Sequence, residues 1–186
     1  MEEPRFLSGQ FLLAMPGMGD PRFERAVIAM CVHDDAGALG IGLGRIVPRI
    51  GFHELLKQLD IEPGVAPDVA IHLGGPVEPQ RGFLIHSLDW GGQDSVQVAD
   101  RWALTATLDI LRAIAEGRGP SCWIAALGYA GWGAGQLEEE LCGNGWFTTA
   151  GNDELLYDCD VNSRWEAAFN SAGIDPRLLT AGFGTA

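Results

Sequence analysis

The stretch Arg25-Ala26-Val27-Ile28-Ala29-Met30-Cys31-Val32-His33, followed by Asp34-Asp35-Ala36-Gly37 and then Ala38-Leu39-Gly40-Ile41-Gly42-Leu43, decides the fold class. The first segment is a nearly continuous apolar run of strand length, the pattern of a strand covered on both faces. A turn rich in Asp and Gly ends it, and a second strand follows at once, which predicts a β-hairpin. A hairpin joins antiparallel neighbours and leaves no room for the crossover helix of a βαβ unit.

The flanking sequence extends this reading. Gln10–Met15 is a predicted strand, stopped by Pro16 and a Gly19-Asp20-Pro21 turn. Phe52, Leu55, Leu56 and Leu59 recur at helical spacing and predict a short amphipathic helix. Val69–Leu73 and Phe83–Ser87 are predicted strands separated by residues 74–82, and Ser95–Val98 is a predicted edge strand. A helix over Thr105–Glu116 has Thr at its start and Gly117 at its stop. Ser121–Leu127 and Trp146–Ala150 read as strands around a short helix at Gln136–Cys142. Ser163 and Glu166 have capping-box spacing and open a final helix that ends near Gly173. Strands outnumber helices without βα alternation, so the expected class is α+β with a mainly antiparallel sheet and flanking helices. No linker, repeat or low-complexity segment divides residues 1–186, which reads as a single domain.

Charge bears on partners. The net charge is −13, from 12 basic and 25 acidic residues, and Lys57 is the sole lysine. A nucleic-acid binder relies on Lys and Arg to neutralise phosphates, and this chain has no linear cluster of either, so direct DNA binding is disfavoured. The same field repels anionic lipid surfaces. No stretch reaches the roughly 20 apolar residues of a membrane span. The opening Met1-Glu2-Glu3-Pro4 is acidic where a secretory signal is basic, so the expected location is cytoplasmic.

Two segments concentrate glycine, aromatics and isolated polar groups. The first is Leu127-Gly128-Tyr129-Ala130-Gly131-Trp132-Gly133-Ala134-Gly135-Gln136-Leu137-Glu138, continuing to Phe147. Strand, glycine turn and helix suggest a phosphate loop. Yet the spacing matches neither the dinucleotide nor the P-loop pattern, and Glu138, Glu139 and Glu140 at the helix start would repel a phosphate. The simpler reading is a sharp turn that packs Tyr129 and Trp132 on the sheet; the alternative makes Tyr129, Trp132, Gln136 and Glu138 one wall of an aromatic pocket. The second segment joins the Gly74-Gly75-Pro76 turn to Arg81 and the strand ending in His86. A histidine there is either held by hydrogen bonds or available for acid–base work.

No catalytic set emerges. There is no G-x-S-x-G elbow, the four cysteines lack metal spacing, and His33-Asp34-Asp35 on a turn points its side chains apart. Cys31 and Cys122 read as small buried apolar residues. No metal site, cofactor or catalytic residue is expected.

In sequence order, Gly9–Pro16 with Asp20-Pro21 and Phe23, Gly37-Ala38-Leu39-Gly40, Gly74–Val77, Arg81–His86, the Leu127–Glu138 segment, Asn144 with Trp146, and Arg164-Trp165 resemble the YqgE/AlgH family of bacterial proteins. The resemblance implies an α+β fold with a branched, partly barrel-like sheet. It carries over no catalytic residues. Some members are labelled transcriptional regulators from an association with alginate production, without a DNA-binding motif. After the hairpin, relatives generally show Asn, a basic residue and Pro; this chain has Gly44-Arg45-Ile46 with Pro48 displaced, keeping the charge and losing the amide.

The leading expectation is therefore a non-catalytic binding or interaction protein for an unknown protein or small-molecule ligand. Its surface would lie where Gly74, Gly75, Pro76, Arg81 and His86 meet Tyr129, Trp132, Gln136 and Glu138. The alternatives are a transcriptional regulator, and an enzyme using His86 with Arg81 or Glu138.

Overall fold

The computed structural model describes residues 6–17, 20–21, 23–91 and 94–181; the acidic start at Met1–Pro4 and Gly19 of the expected turn lie outside them. The hairpin that decides the class forms β2 (Val27–Asp34) and β3 (Gly37–Gly42), paired antiparallel from Ile28 with Gly42 to Asp34 with Gly37. On its open side β2 pairs with β1 (Gln10–Ala14), which pairs in turn with β10 (Trp146–Ala150). On the other side β3 pairs with the C-terminal half of β9 (Trp123–Gly133).

β9 is the branch point of a ten-stranded sheet. One edge takes β6 (Val77–His86), which continues into β8 (Trp102–Thr105) and β7 (Val96–Val98). The other edge takes β5 (Ala70–Leu73) at Ala126 and Leu127, then β3 from Ala130 onward; β5 also carries β4 (Ile46–Gly51). The β5–β9 pair is parallel and every other pair is antiparallel. The sheet curls into a half-barrel, as the family resemblance implied.

A single residue lets one strand serve both branches. Ile124 and Ala126 face the inner core, while Ala125 and Leu127 face the opposite side. Gly128 then adopts a left-handed φ of 77°. Beyond it the alternation slips by one, so that Tyr129 faces inward and Ala130 and Trp132 outward. The β6–β9 register is irregular here, β6 running from Gly82 to Val77 while β9 runs from Leu127 to Tyr129, a bulge that adds twist. The expected glycine turn at 128–133 is thus corrected to a continuous strand, because pairing with β3 and β6 outweighs the weak strand preference of glycine.

The inner face closes over Phe11, Leu13, Val27 and Ile85. Against them pack Trp102, a π-helical turn (Glu154–Asp158) and α4 (Arg164–Ser171), followed by α5 (Pro176–Ala181). Phe11 stacks on Trp102 at 5.8 Å. The outer face is covered in two patches. α1 (Phe52–Gln58) and α2 (Leu108–Ala115) cover Ile71, Leu84 and Ala125, and α3 (Gln136–Cys142) covers Ile28, Ala130 and Trp132 through Leu137.

Several local expectations change. Thr105 ends β8, and α2 starts three residues later after Thr107, with no side-chain cap. Ser163 precedes α4 but its side chain caps nothing, so the capping-box spacing is not realised. After α3, Asn144 adopts a left-handed φ of 59°. Cys31 is buried, and burial pushes its thiol up to about 12, whereas Cys122 is exposed just before β9 rather than inside a strand.

Candidate functional site

The Gly74-Gly75-Pro76 loop crosses β9 at the bulge. A β-carbon on Gly75 would overlap the backbone of Tyr129, and one on Gly128 would overlap the carbonyl oxygen of Gly75. Only glycine permits this approach, and here the close contact, rather than phosphate binding, explains the motif. The Gly74 amide donates to the Leu127 carbonyl at 2.8 Å, and its carbonyl accepts from the Gly42 amide at 2.7 Å. The loop therefore seals the fork between β3 and β5.

Outside that seal lies an apolar cleft of about 250 Å³. Phe23, Ala26, Ile28, Leu73, Pro76, Pro79 and Ala130 line it. Arg45 stands at it as the one charged lining residue among those described. Its Nη2 donates to the carbonyls of Pro21 at 2.8 Å and Glu24 at 3.3 Å, fixing the segment that enters β2. That segment turns at Arg25, whose φ of 55° is uncommon for a non-glycine residue. The Arg25 guanidinium lies 5.2 Å from the centroid of Trp165, in an outer recess that shares Gly44 and Arg45 with the cleft.

The expected surface residues do not converge. Gly74, Gly75 and Pro76 line the cleft. Arg81 is exposed on β6, pairs with Glu78 at 3.4 Å and lies over the Phe83 ring. Tyr129 turns inward against Phe83, and Trp132 is buried on the opposite face against Trp146. Gln136 accepts from the Gly133 amide and donates to Glu140, holding the start of α3. Glu138 meets His33 Nε2 at 2.7 Å, while the other ring nitrogen of His33 accepts the Leu7 amide.

His86 lies at the far end of β6 and is fully buried. Its Nδ1 donates to the Ser87 carbonyl at 2.9 Å, so Nε2 accepts from the Thr105 hydroxyl at 2.8 Å. Burial lowers its pKa and keeps the ring neutral. With Glu138 bound to His33 and Arg81 five residues away along an extended strand, roughly 16 Å at 3.3 Å per residue, His86, Arg81 and Glu138 do not form a reacting set. Among the described residues no group of His, Cys, Asp or Glu could hold a metal ion.

A second cavity, of about 450 Å³, opens between β5, the start of β9 and the π-helical turn, beside His72, Ser121 and Cys122. Its inner wall holds Arg164, buried to 3% exposure. All five guanidinium N–H groups are engaged. Nε and Nη2 donate to the carbonyls of Leu155, Leu156 and Cys159, and Nη1 donates to Leu43 and to His72 Nε2. His72 in turn donates from Nδ1 to the Ala125 carbonyl at 3.3 Å. Burial first, then the Arg164 charge, lowers the His72 pKa to about 4. This cation has no donor left for a ligand.

Sequence reasoning singled out Phe23 and Arg45 as parts of signature segments without placing them in a site. The retained charge at Arg45 was the available signal. An AlgH-like family model matches residues 11–177. A UPF0301 protein of Rhizorhabdus wittichii is 62% identical over the full length of both chains, and one of Novosphingobium aromaticivorans is 55% identical, also over both full lengths. The solution structure of the AlgH protein from Pseudomonas aeruginosa superposes with a TM-score of 0.81 at 37% identity, covering 100% of this chain and 99% of that one. The crystal structure of protein DIP2367 from Corynebacterium diphtheriae shares the fold, with a TM-score of 0.73 at 22% identity, covering 96% of this chain and 94% of that one.

Proposed function

The chain belongs to the AlgH-like family, and on that premise we propose that it is a non-catalytic binding protein of the cytoplasm, working through the apolar cleft beside the Gly74-Gly75-Pro76 loop. One observation carries the reading. A signature loop of the sequence forms a wall of the cleft and is fixed there by backbone hydrogen bonds and glycine-dependent contact. A pre-formed apolar recess with a single polar anchor is the usual make-up of a ligand site. No nucleophile–base pair faces it among the described residues. A regulatory role then runs through a bound ligand or partner rather than through DNA, which a net charge of −13 repels. No described helix is long and apolar enough to cross a membrane, which is compatible with that location.

The test is a thermal-shift screen of small apolar compounds on wild type and Ala26→Leu, a substitution that fills the cleft. A ligand at about 100 times its Kd adds about 2.7 kcal/mol to stability, or roughly 5–10 °C in Tm for a chain of this size. Compounds that raise the Tm of wild type and leave Ala26→Leu unmoved support the reading. Identical hits on both proteins would place binding elsewhere.

A further inference from the structure

Resting on that reading, we infer that the cleft takes a small apolar molecule carrying a carboxylate, its tail in the recess and its anionic head on the Arg45 guanidinium. Three observations converge. The recess is lined almost wholly by apolar residues and glycines, and at about 250 Å³ it is smaller than the roughly 300–1,000 Å³ of most small-molecule pockets. That suits a chain or ring of modest length rather than a nucleotide. Its one charged lining residue among those described is a cation, in a molecule of net charge −13. Arg45 is also exposed and forms no ion pair among the described residues, and only its Nη2 is engaged, by the Pro21 and Glu24 carbonyls. Nε and Nη1 therefore remain able to donate, each as a single charge-assisted hydrogen bond to an anionic head.

The clamp on the Pro21 and Glu24 carbonyls fixes the guanidinium at the cleft before a ligand arrives, so little side-chain freedom is lost on binding. Arg25 adds a second cation in the adjoining recess, held over Trp165. Glu24 and Glu166 also line that outer recess, so the net field there is weak. The selectivity for an anion consequently rests on Arg45 rather than on Arg25.

The probes are octanoate and 1-octanol, which share a tail and differ in the head. Isothermal titration against wild type is expected to give octanoate a Kd about tenfold below that of octanol, the size of one hydrogen bond to a charged group. The preference should shrink as salt is raised, because Arg45 is exposed. In Arg45→Gln, which keeps a polar side chain without the charge, octanoate should fall to the affinity of octanol while octanol is unchanged. In Ala26→Leu both should weaken together. Equal binding of the two probes by wild type, or a preference that survives Arg45→Gln, would overturn the anion assignment and leave the apolar cleft intact as a site. Failure of both probes to bind wild type would overturn this ligand class, and the compound screen above would then decide separately whether the cleft binds at all.

Discussion

Arg45 and Arg164 both donate to backbone carbonyls, yet they occupy opposite extremes of environment. Arg164 is sealed, with every N–H engaged and a neutral histidine as its side-chain neighbour. Arg45 is exposed, lines an apolar cleft and has only one of its three nitrogens engaged. The difference teaches that a guanidinium builds structure when its donors are exhausted and offers recognition when they are not. Buried charge alone does not mark a binding site. Arg164 ties the π-helical turn, the end of β3 and β5 into one unit through the Leu155, Leu156 and Leu43 carbonyls and the His72 ring.

The largest expected effect falls on the sealed cation. Arg164→Met keeps much of the volume and leaves the Leu43, Leu155, Leu156 and Cys159 carbonyls without their donor. Chemical denaturation should show a loss of several kcal/mol, since each buried acceptor left without a partner costs about 1–3 kcal/mol. A loss below 1 kcal/mol would show that water replaces the guanidinium at little cost and would dissolve the contrast with Arg45.

Next comes the coupling of His72 to that charge. Its folded pKa, about 4, lies below the ordinary value of 6.5, so its neutral form stabilises the fold. The contribution is complete above about pH 6.5 and is lost as pH falls through 4; the shift corresponds to roughly 3 kcal/mol at 1.36 kcal/mol per unit. Denaturation curves between pH 7 and pH 4 should reveal it against a His72→Gln reference. In Arg164→Met the dependence should be shallower, because one of the two lowering influences is gone. An unchanged slope would assign the whole shift to burial.

The smallest structural effect is expected at the cleft. Arg45→Gln should change stability by about 0.5 kcal/mol or less, as surface substitutions usually do. A loss above 2 kcal/mol would make Arg45 a second structural clamp and remove its distinction from Arg164.

How far the sequence foretold this contrast depends on the range of the interactions. The β2–β3 hairpin was legible because its apolar run and turn are adjacent in the chain. β9 beyond Gly128 was not, since glycines 128, 131 and 133 read locally as a turn while strand pairing with β3 and β6 supplies the order. β8, at Trp102–Thr105, was missed because four residues running into a helical pattern give too short a signal. The hydrogen-bonded reading of His86 matches its geometry, since a histidine ending a buried strand finds partners in its neighbours. Glu138 was placed correctly on α3, but its partner His33 lies 105 residues away. The Gly74-Gly75-Pro76 segment stood out in the sequence, but the close backbone approach that requires its glycines comes from Gly128 and Tyr129, far along the chain. Arg45 escaped placement because its partners are main-chain carbonyls, which leave no pattern in a sequence.

The most direct test of the central claim, that the cleft at the β9 fork is the working surface, is an amide NMR map of wild type titrated with a hit from the compound screen. The account predicts that shifts concentrate at Ala26, Ile28, Gly42, Gly44, Arg45 and Gly75, and vanish in Ala26→Leu. Shifts centred instead on Ser121, Cys122 and Trp123, at the cavity beside Arg164, would contradict it.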